Sequence, residues 1–576
     1  MYFRHLVNCR CLPRSKCLLR VLSRAGSTNA FFEIPKILNE PNRHYPKGSA
    51  ERDGVLAALN KFQERIPLEI QNKVNKKKET SPKSSQVNPS NHASVVAYYA
   101  NATSLDVTEA IDSALDAKPR WESFSFAERA AIFLKAADLI AGKYRYEIMA
   151  TSIIGQGKNI WQAEIDSAAE LVDFLRFNVK FAKEMYAQQP EYNTSGVWNR
   201  MEYRSLEGFV YAVSPFNFTA IAGNLITAPA LLGNVVIWKP SDYAIASNWL
   251  LYNILQEAGL PKDVIQFVPG PAEEITKAVL AHRKFAALHF TGSTDVFRKL
   301  NGAIATGVSE SRYQGYPRIV GETGGKNFHL IHSSADIENA VVQTIRGAFE
   351  YQGQKCSATS RAYVPMSIWP QFKERLIRET LKLSVGSATE CKNFIGPVIH
   401  KRSFEKLSKI IKDARNDSEL QLIVGGKCDG STGYFIYPTI YVTTSYDHPF
   451  LSNEFFGPIL TIYIYDDESY ADEMFEFICK LIDRTSDYGL TGSIFASDRE
   501  AIHLAEETLK NAAGNFYINC KCTGAVVGQQ AFGGSRASGT NDKAGSMNLL
   551  TRFTNIRTIK EEFNPTRAVQ YPSNEI

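Results

Sequence analysis

A chain of 576 residues is too long for one core and corresponds to about three to four domains of ordinary size. Hydrophobic residues make up 44% and charged residues 22%, the balance of a soluble globular protein, and no apolar run reaches the roughly 18 residues that membrane insertion requires. The net charge of +5 comes from 65 basic and 60 acidic residues, and six of the bases lie in the first 32 positions; without them the chain is near −1, which removes the electrostatic case for nucleic acid as a partner.

Those six bases are Arg4, Arg10, Arg14, Lys16, Arg20 and Arg24, interleaved with Leu and Val, and no acid precedes Glu33. An Arg-rich, acid-free, amphipathic start reads as a mitochondrial presequence over 1–32, with import into the matrix. A basic arm that binds nucleic acid or membrane is the alternative. Further on, "IPLEI" (66–70) and "ASVVAYY" (93–99) are strand-like, and the polar, turn-rich stretch 73–92 between them reads as a charged hairpin or linker. From Leu105 to about Ala187 apolar residues recur at i, i+3, i+4 and i+7, a helical period, with Ser125 and Glu128 spaced as a capping box.

From residue 208 the rhythm changes. Short apolar runs, "GFVYAVSPF" (208–216), "VVIWKPS" (235–241), "VIQFVPG" (264–270), "FAALHFTGS" (285–293) and "RIVGETGG" (318–325), alternate with amphipathic helices, one of them closed by Gly259 and Pro261. This pattern predicts an α/β fold with a doubly wound parallel sheet, which binds ligands beyond its strand carboxyl ends. A second alternating set follows, with helices over "ADIENAVVQTIRGAFEYQ" and "IWPQFKERLIRETLKL" and strands over "SRAYVP" and "YGLTGSIFA" (488–496). It predicts a second α/β domain with a cysteine loop near its start.

The polar clusters fall at strand carboxyl ends or on that loop. Gly292-Ser293-Thr294 opens a helix whose first N–H groups could hold a pyrophosphate. The spacing matches neither G-x-G-x-x-G nor G-x-x-x-x-G-K-[ST], and an ordinary N-cap by Ser293 or Thr294 accounts for it equally well. The nine cysteines (9, 11, 17, 356, 391, 428, 479, 520 and 522) form no disulfide framework and fit a reducing compartment. Cys520 and Cys522 lack the further pair that a zinc site needs, and no metal is expected. Cys356, in "FEYQGQKCSATSR" (349–361), stands on a polar loop beside Lys355, a setting that suits a reactive thiol, although a lone cysteine is more often inert. Glu322 follows a strand in a glycine turn and could serve as a general base, or be a solvated turn acid.

Taken together and in order, "SPFNF" (214–218), "WKPS" (238–241), "FTGST" (290–294), "GETGGKN" (321–327), "GQKCS" (353–357) and "NEFFGP" (453–458) resemble the aldehyde dehydrogenase superfamily. The resemblance runs from about residue 40 to the end. It implies a Rossmann-type NAD-binding domain, an α/β catalytic domain and a small β bridging element for oligomerisation. The boundaries it implies are 33–324 for the N-terminal helices and cofactor domain, with a bridging hairpin at about 192–207. They continue with 325–540 for the thiol domain and 541–576 for an oligomerisation tail of a homodimer or higher homo-oligomer. It implies Cys356 as nucleophile, Glu322 as base and Asn217 as oxyanion donor. For NAD it implies Ser214, Phe216, Lys239, Ser241, Gly270, Gly292, Ser293, Glu454 and Phe456.

Within the family, "GQGKNIWQAEID" (155–166), "YAQQP" (186–190), "GKNFHLIH" (325–332) and "GNFYINCKCTGAVVGQQAFGG" (514–534) are similar to the branch that oxidises glutamate semialdehyde, the open form of 1-pyrroline-5-carboxylate, in proline breakdown. A dehydrogenase for another small semialdehyde such as succinate semialdehyde, or a non-catalytic scaffold of the same fold, is the alternative. That likeness implies a substrate carboxylate held by Gly524 and Ala525 with Ser357, a pocket wall at Phe532, and Glu164 near its entrance. Cys520 stands where Asp is expected, Ala525 where some members have Ser, and Ala531 where Pro is expected.

Overall fold

Two mostly parallel sheets carry the alternating pattern of the sequence. The computed structural model describes residues 33–70, 83–469 and 471–575. The basic start at 1–32 lies outside the described residues, as do 71–82 of the polar stretch. Residues 33–36 have no regular secondary structure, and the described residues from Ile37 on make up one compact unit.

The first sheet has five strands in the order Ile265–Phe267, Val236–Lys239, Phe209–Val213, Phe285–Thr291 and Arg318–Glu322, every pair parallel. Its inner strands are buried along nearly their whole length, which is why they read as unbroken apolar runs. The helix Thr219–Leu231 leaves the first of these strands and is itself buried. Helix Ile245–Ala258 ends on Gly259, whose φ of 110° is the left-handed cap expected there. The next crossover helix, Thr294–Ser309, starts on Ser293, whose hydroxyl accepts the Val296 N–H at 3.3 Å.

The second sheet has seven strands, ordered Leu420–Val424, Thr439–Thr443, Ile459–Tyr465, Thr359–Pro365, Asn327–Ile331, Thr491–Phe495 and Asn515–Ile518. All pairs are parallel except the first, an antiparallel edge. The chain passes from one sheet to the other in four residues, between Glu322 and Asn327. The cysteine loop joins helix Ile337–Phe349 to the central strand Thr359–Pro365.

The helical stretch from Leu105 forms as its period predicts. Ser125 accepts the Glu128 N–H while the Glu128 carboxylate accepts the Ser125 N–H at 2.6 Å, a complete capping box. In the polar stretch before it the hairpin alternative holds from Lys83 on, where Lys83–Asn88 is a strand paired antiparallel with Asn91–Ala100. Its buried Gln86 satisfies its amide on the Gly155 and Tyr243 carbonyls and the Ala246 N–H, so polarity hides an interior position.

The bridging hairpin expected at 192–207 is one strand, Val197–Ser205, paired antiparallel over its full length with Thr554–Glu562 of the tail. The polar residues before Val197 spend their groups locally: Asn193 Oδ1 accepts the Asn199 N–H at 2.6 Å, which leaves the distant tail as pairing partner. No helix among the described residues is long and apolar enough to cross a membrane.

Candidate active site

Cys356 opens onto a cavity of about 550 Å³. Glu322, Glu170, Asp173, Tyr517, Phe218, Ser357, Lys355, Lys521 and the loop Thr523–Ala525 share its wall, with Phe532 alongside. Strand ends supply much of this set. Glu322 ends the last strand of the five-stranded sheet, and Tyr517 lies on the edge strand of the seven-stranded one.

The thiol loop is held from several directions. Asn327 donates its amide N–H to the carbonyls of Cys356 and Ala358 at 2.7 and 2.9 Å. Asn217 donates its Nδ2–H to the Gln354 carbonyl at 3.1 Å, so it stands just behind the loop, with its neighbour Phe218 on the cavity wall. A Cβ on Gly325 would collide with the Cys356 carbonyl, which accounts for that glycine in "GETGGKN". Burial pushes the Cys356 thiol well above its usual range, and the charges of Glu322 and Glu454 push it further. The resting thiol therefore keeps its proton and needs an acceptor.

Glu322 lines the same cavity. Its Oε2 is buried without a hydrogen-bond partner. Burial raises its carboxyl well above the ordinary range, Lys543 offsets part of this, and Asp542 adds to it. A Cβ on Gly533 would stand 2.8 Å from Glu322 Oε1, so the first glycine of "AFGG" makes room for this carboxylate.

The expected pocket residues divide. Ser357, Gly524, Ala525 and Phe532 all line the cavity. Gly524 has a φ of 105°, a conformation that favours glycine, and Ser357 Oγ lies 2.8 Å from Thr523 Oγ1. Glu164 is a correction. It is fully buried in an ion pair with Arg145 and accepts the Tyr45 hydroxyl at 2.6 Å and the Arg43 N–H at 2.8 Å, so it presents nothing to the cavity. Six residues on, Glu170 does line it, pushed up to about 8 by burial and by Asp166 against the pull of Lys158. The two glutamates bracket a seven-residue π-helix, Glu164–Glu170, whose wider turn sends them to different sides. Only a break in the helical period could have signalled this, and Ile165, Ala168 and Ala169 supply none.

Lys355 and Lys521 both reach the buried Glu350, at 3.0 and 2.6 Å. Burial alone would raise Glu350, but the two lysines bring it down to about 2. The sequence reading passed over this triad, because nothing in the spacing of 350, 355 and 521 marks it. It likewise passed over Tyr517, whose hydroxyl is buried without a partner.

The positions implied for a dinucleotide lie at the carboxyl ends of the five-stranded sheet and on the loop after Ser452. The Trp238 indole donates to Ser214 Oγ at 2.9 Å, and Lys239 Nζ pairs with Asp242 at 3.1 Å. The Ser241 hydroxyl accepts the Tyr243 N–H at 3.4 Å. The rings of Phe216 and Phe456 meet edge to face at 5.8 Å. Glu454, kept above the usual range by burial, accepts the Gly325 N–H at 2.8 Å. An ammonium, a hydroxyl and a helix N-terminus along the five-stranded sheet, with a buried carboxylate on the loop after Ser452, suit the phosphates and ribose hydroxyls of a dinucleotide. The need for glycine at two positions has a different cause: a Cβ on Gly270 would meet the Ala102 nitrogen at 2.9 Å, and one on Gly292 the Phe290 ring at 2.7 Å.

Comparison with known proteins agrees with this geometry. Residues 76–559 match the model of the aldehyde dehydrogenase family. The chain is 61% identical to the mitochondrial delta-1-pyrroline-5-carboxylate dehydrogenase of Emericella nidulans, covering 99% of both chains. It is 46% identical to the human mitochondrial protein of the same name, over 92% of this chain and 93% of that one. Among solved structures it resembles the delta-pyrroline-5-carboxylate dehydrogenase of Mycobacterium tuberculosis bound with NAD, with a TM-score of 0.90 and 42% identity over 95% of this chain and 100% of that one.

Proposed function

Because the chain belongs to the aldehyde dehydrogenase family, we propose from its relatives and its cavity that it oxidises glutamate semialdehyde, the open form of 1-pyrroline-5-carboxylate, to glutamate with NAD. The observation that carries this is the meeting of Cys356 and Glu322 in one cavity whose wall also holds the carboxyl groups of Glu170 and Asp173 and the side chains of Lys355 and Lys521. A substrate with an ammonium and a carboxylate complements such a wall.

The Cys356 sulfur attacks the aldehyde carbon, its proton passing to Glu322, and the carbonyl oxygen takes up the charge. Asn217 Nδ2–H and the Cys356 N–H are the donors assigned to that oxygen. NAD, when bound, accepts the hydride from the same carbon. Cys356 then carries the product as a thioester. Once Glu322 has given that proton up to solvent it takes one from water, whose oxygen attacks the thioester carbon; the C–S bond breaks and the leaving thiolate takes the proton from Glu322, which restores the thiol. Lys239 and Ser241 are assigned to the adenosine ribose, Ser214, Gly292 and Ser293 to the phosphate end, and Glu454 with Phe216 and Phe456 to the nicotinamide end. The Gly524–Ala525 loop and Ser357 are assigned to the substrate carboxylate.

The relatives' mitochondrial names and the basic start at 1–32 support import, and the matrix is the compartment assigned. The strand pair Val197–Ser205 and Thr554–Glu562 exposes Trp198 and Ile556 and is assigned to a homodimer contact, tested by sedimentation of the W198D variant. The deciding experiment for activity is NADH formation with pyrroline-5-carboxylate, succinate semialdehyde and acetaldehyde. A kcat/KM at least about 100-fold higher for the first is expected, since a site built around polar groups discriminates strongly. Preference for another aldehyde would void the assignment of the carboxylate loop, and no turnover with any of them would leave a scaffold.

A further inference from the structure

The segment Gly155-Gln156-Gly157-Lys158 takes no part in the chemistry above, yet its groups touch both halves of the catalytic centre. Lys158 is 1% exposed and forms an ion pair with the fully buried Asp166. Asp166 in turn accepts the N–H groups of Thr219 at 3.1 Å and Ala220 at 2.9 Å, the first residues of the helix that follows Asn217. The Lys158 ammonium stands 4.3 Å from the ring centre of Phe218, next to Asn217, and 4.7 Å from that of Tyr351. Tyr351 and Gln352 lie just upstream of Cys356 in the left-handed region, with φ of 50° and 57°. Residues other than glycine persist there only when the surroundings hold them.

Those surroundings are the same short segment. The Tyr351 hydroxyl donates to the Gln156 carbonyl at 2.9 Å, and Gln352 Nε2 donates to the Gly157 carbonyl at 3.0 Å. Gln156 Nε2 donates to the Phe216 carbonyl at 2.6 Å. A buried ion pair is weak evidence for stability, because desolvation offsets much of its attraction. Here it sits where the segment after one sheet meets the loop before the other.

We propose that the Lys158–Asp166 ion pair is a positioning device that holds Asn217 in register with the Cys356 loop, and so sets the two oxyanion donors, without touching substrate. The inference rests on the roles given above to Asn217 and Cys356. Lys158→Met keeps the bulk and removes the charge. It is expected to slow single-turnover NADH formation about 10- to 100-fold, the cost of donors displaced by a fraction of an ångström. KM for the aldehyde, binding of NAD and the rate of Cys356 alkylation by iodoacetamide, which needs no oxyanion donor, are expected to stay within about threefold of wild type.

Should the lone buried Asp166 carboxylate prevent folding, the double variant K158M/D166N, with both charges gone, carries the same measurement. A single-turnover rate equal to wild type in a folded variant overturns the proposal. So does a parallel fall in single-turnover rate, alkylation rate and Tm, which would mark the pair as a fold element only. If wild type prefers another aldehyde, the substrate reading fails, and the same comparison made with that aldehyde still decides the role of the pair.

Discussion

The two sheets end in different ways. Along the five-stranded sheet the polar site residues have partners within the chain: Trp238 donates to Ser214, Asp242 pairs with Lys239, and Ser293 caps its own helix. In the cavity where the two sheets meet, Glu322 Oε2 from the last strand of the five-stranded sheet and Tyr517 Oη from the seven-stranded one are buried without a partner, and the Cys356 thiol and the Glu170 carboxyl are pushed far from their ordinary ranges. An edge whose groups are already satisfied can hold a ligand that comes and goes. A wall with unpaired groups and displaced pKa values is where protons move, because burial there is left uncompensated until a substrate or water arrives.

That contrast yields graded expectations. Cys356→Ala should lower the dehydrogenase rate by about 10⁴-fold or more while leaving NAD binding intact; steady-state rates and fluorescence titration with NAD check the two halves separately. Glu322→Gln should cut both the first turnover of NADH in stopped flow and the steady-state rate, each about 100-fold, because the thiol and the water lose the same proton acceptor. The wild-type rate should climb with pH above the ordinary carboxylate range, because the raised Glu322 acts as a base only when ionised, and the variant should lose that slope. Lys239→Ala, on the other side of the comparison, should raise KM for NAD about tenfold with kcat within about twofold; an equal fall in kcat would make the satisfied edge part of the chemistry.

The smallest effect concerns Glu170. Its folded pKa of about 8 lies above the ordinary 4.5, so the folded chain keeps an extra proton between those values. The stability this contributes is full below about pH 4.5 and is lost as the pH rises through 8. Glu170→Gln should therefore gain about 1–2 °C in Tm over wild type at pH 8 and almost nothing at pH 5, measured by thermal melts at the two pH values.

Parts of this site were legible in one dimension because they depend on local rules. The strand ends at Lys239, Thr291 and Glu322, the N-cap at Ser293, the capping box at Ser125 and Glu128 and the left-handed cap at Gly259 all follow from burial period and turn chemistry within a few residues. The thiol loop was marked by an ordered set of short motifs. Glu164 was misread because two glutamates six positions apart cannot be ranked without the π-turn between them. The bridging element was misread because its pairing partner, Thr554–Glu562, is supplied by the far end of the chain.

The sequence by itself determined the two alternating α/β halves and the basic start, and it put forward Cys356 and Glu322 as the candidate thiol and base. Only the tertiary structure decided which carboxylate faces the cavity, that Glu350 gathers Lys355 and Lys521, and that Lys158 and Asp166 join the Asn217 segment to the Cys356 loop. Hydrophobic period and turn residues act over a few neighbours and can be read along the chain. Burial and the pairing of charges depend on segments hundreds of residues apart, which meet only when the sheets close on each other.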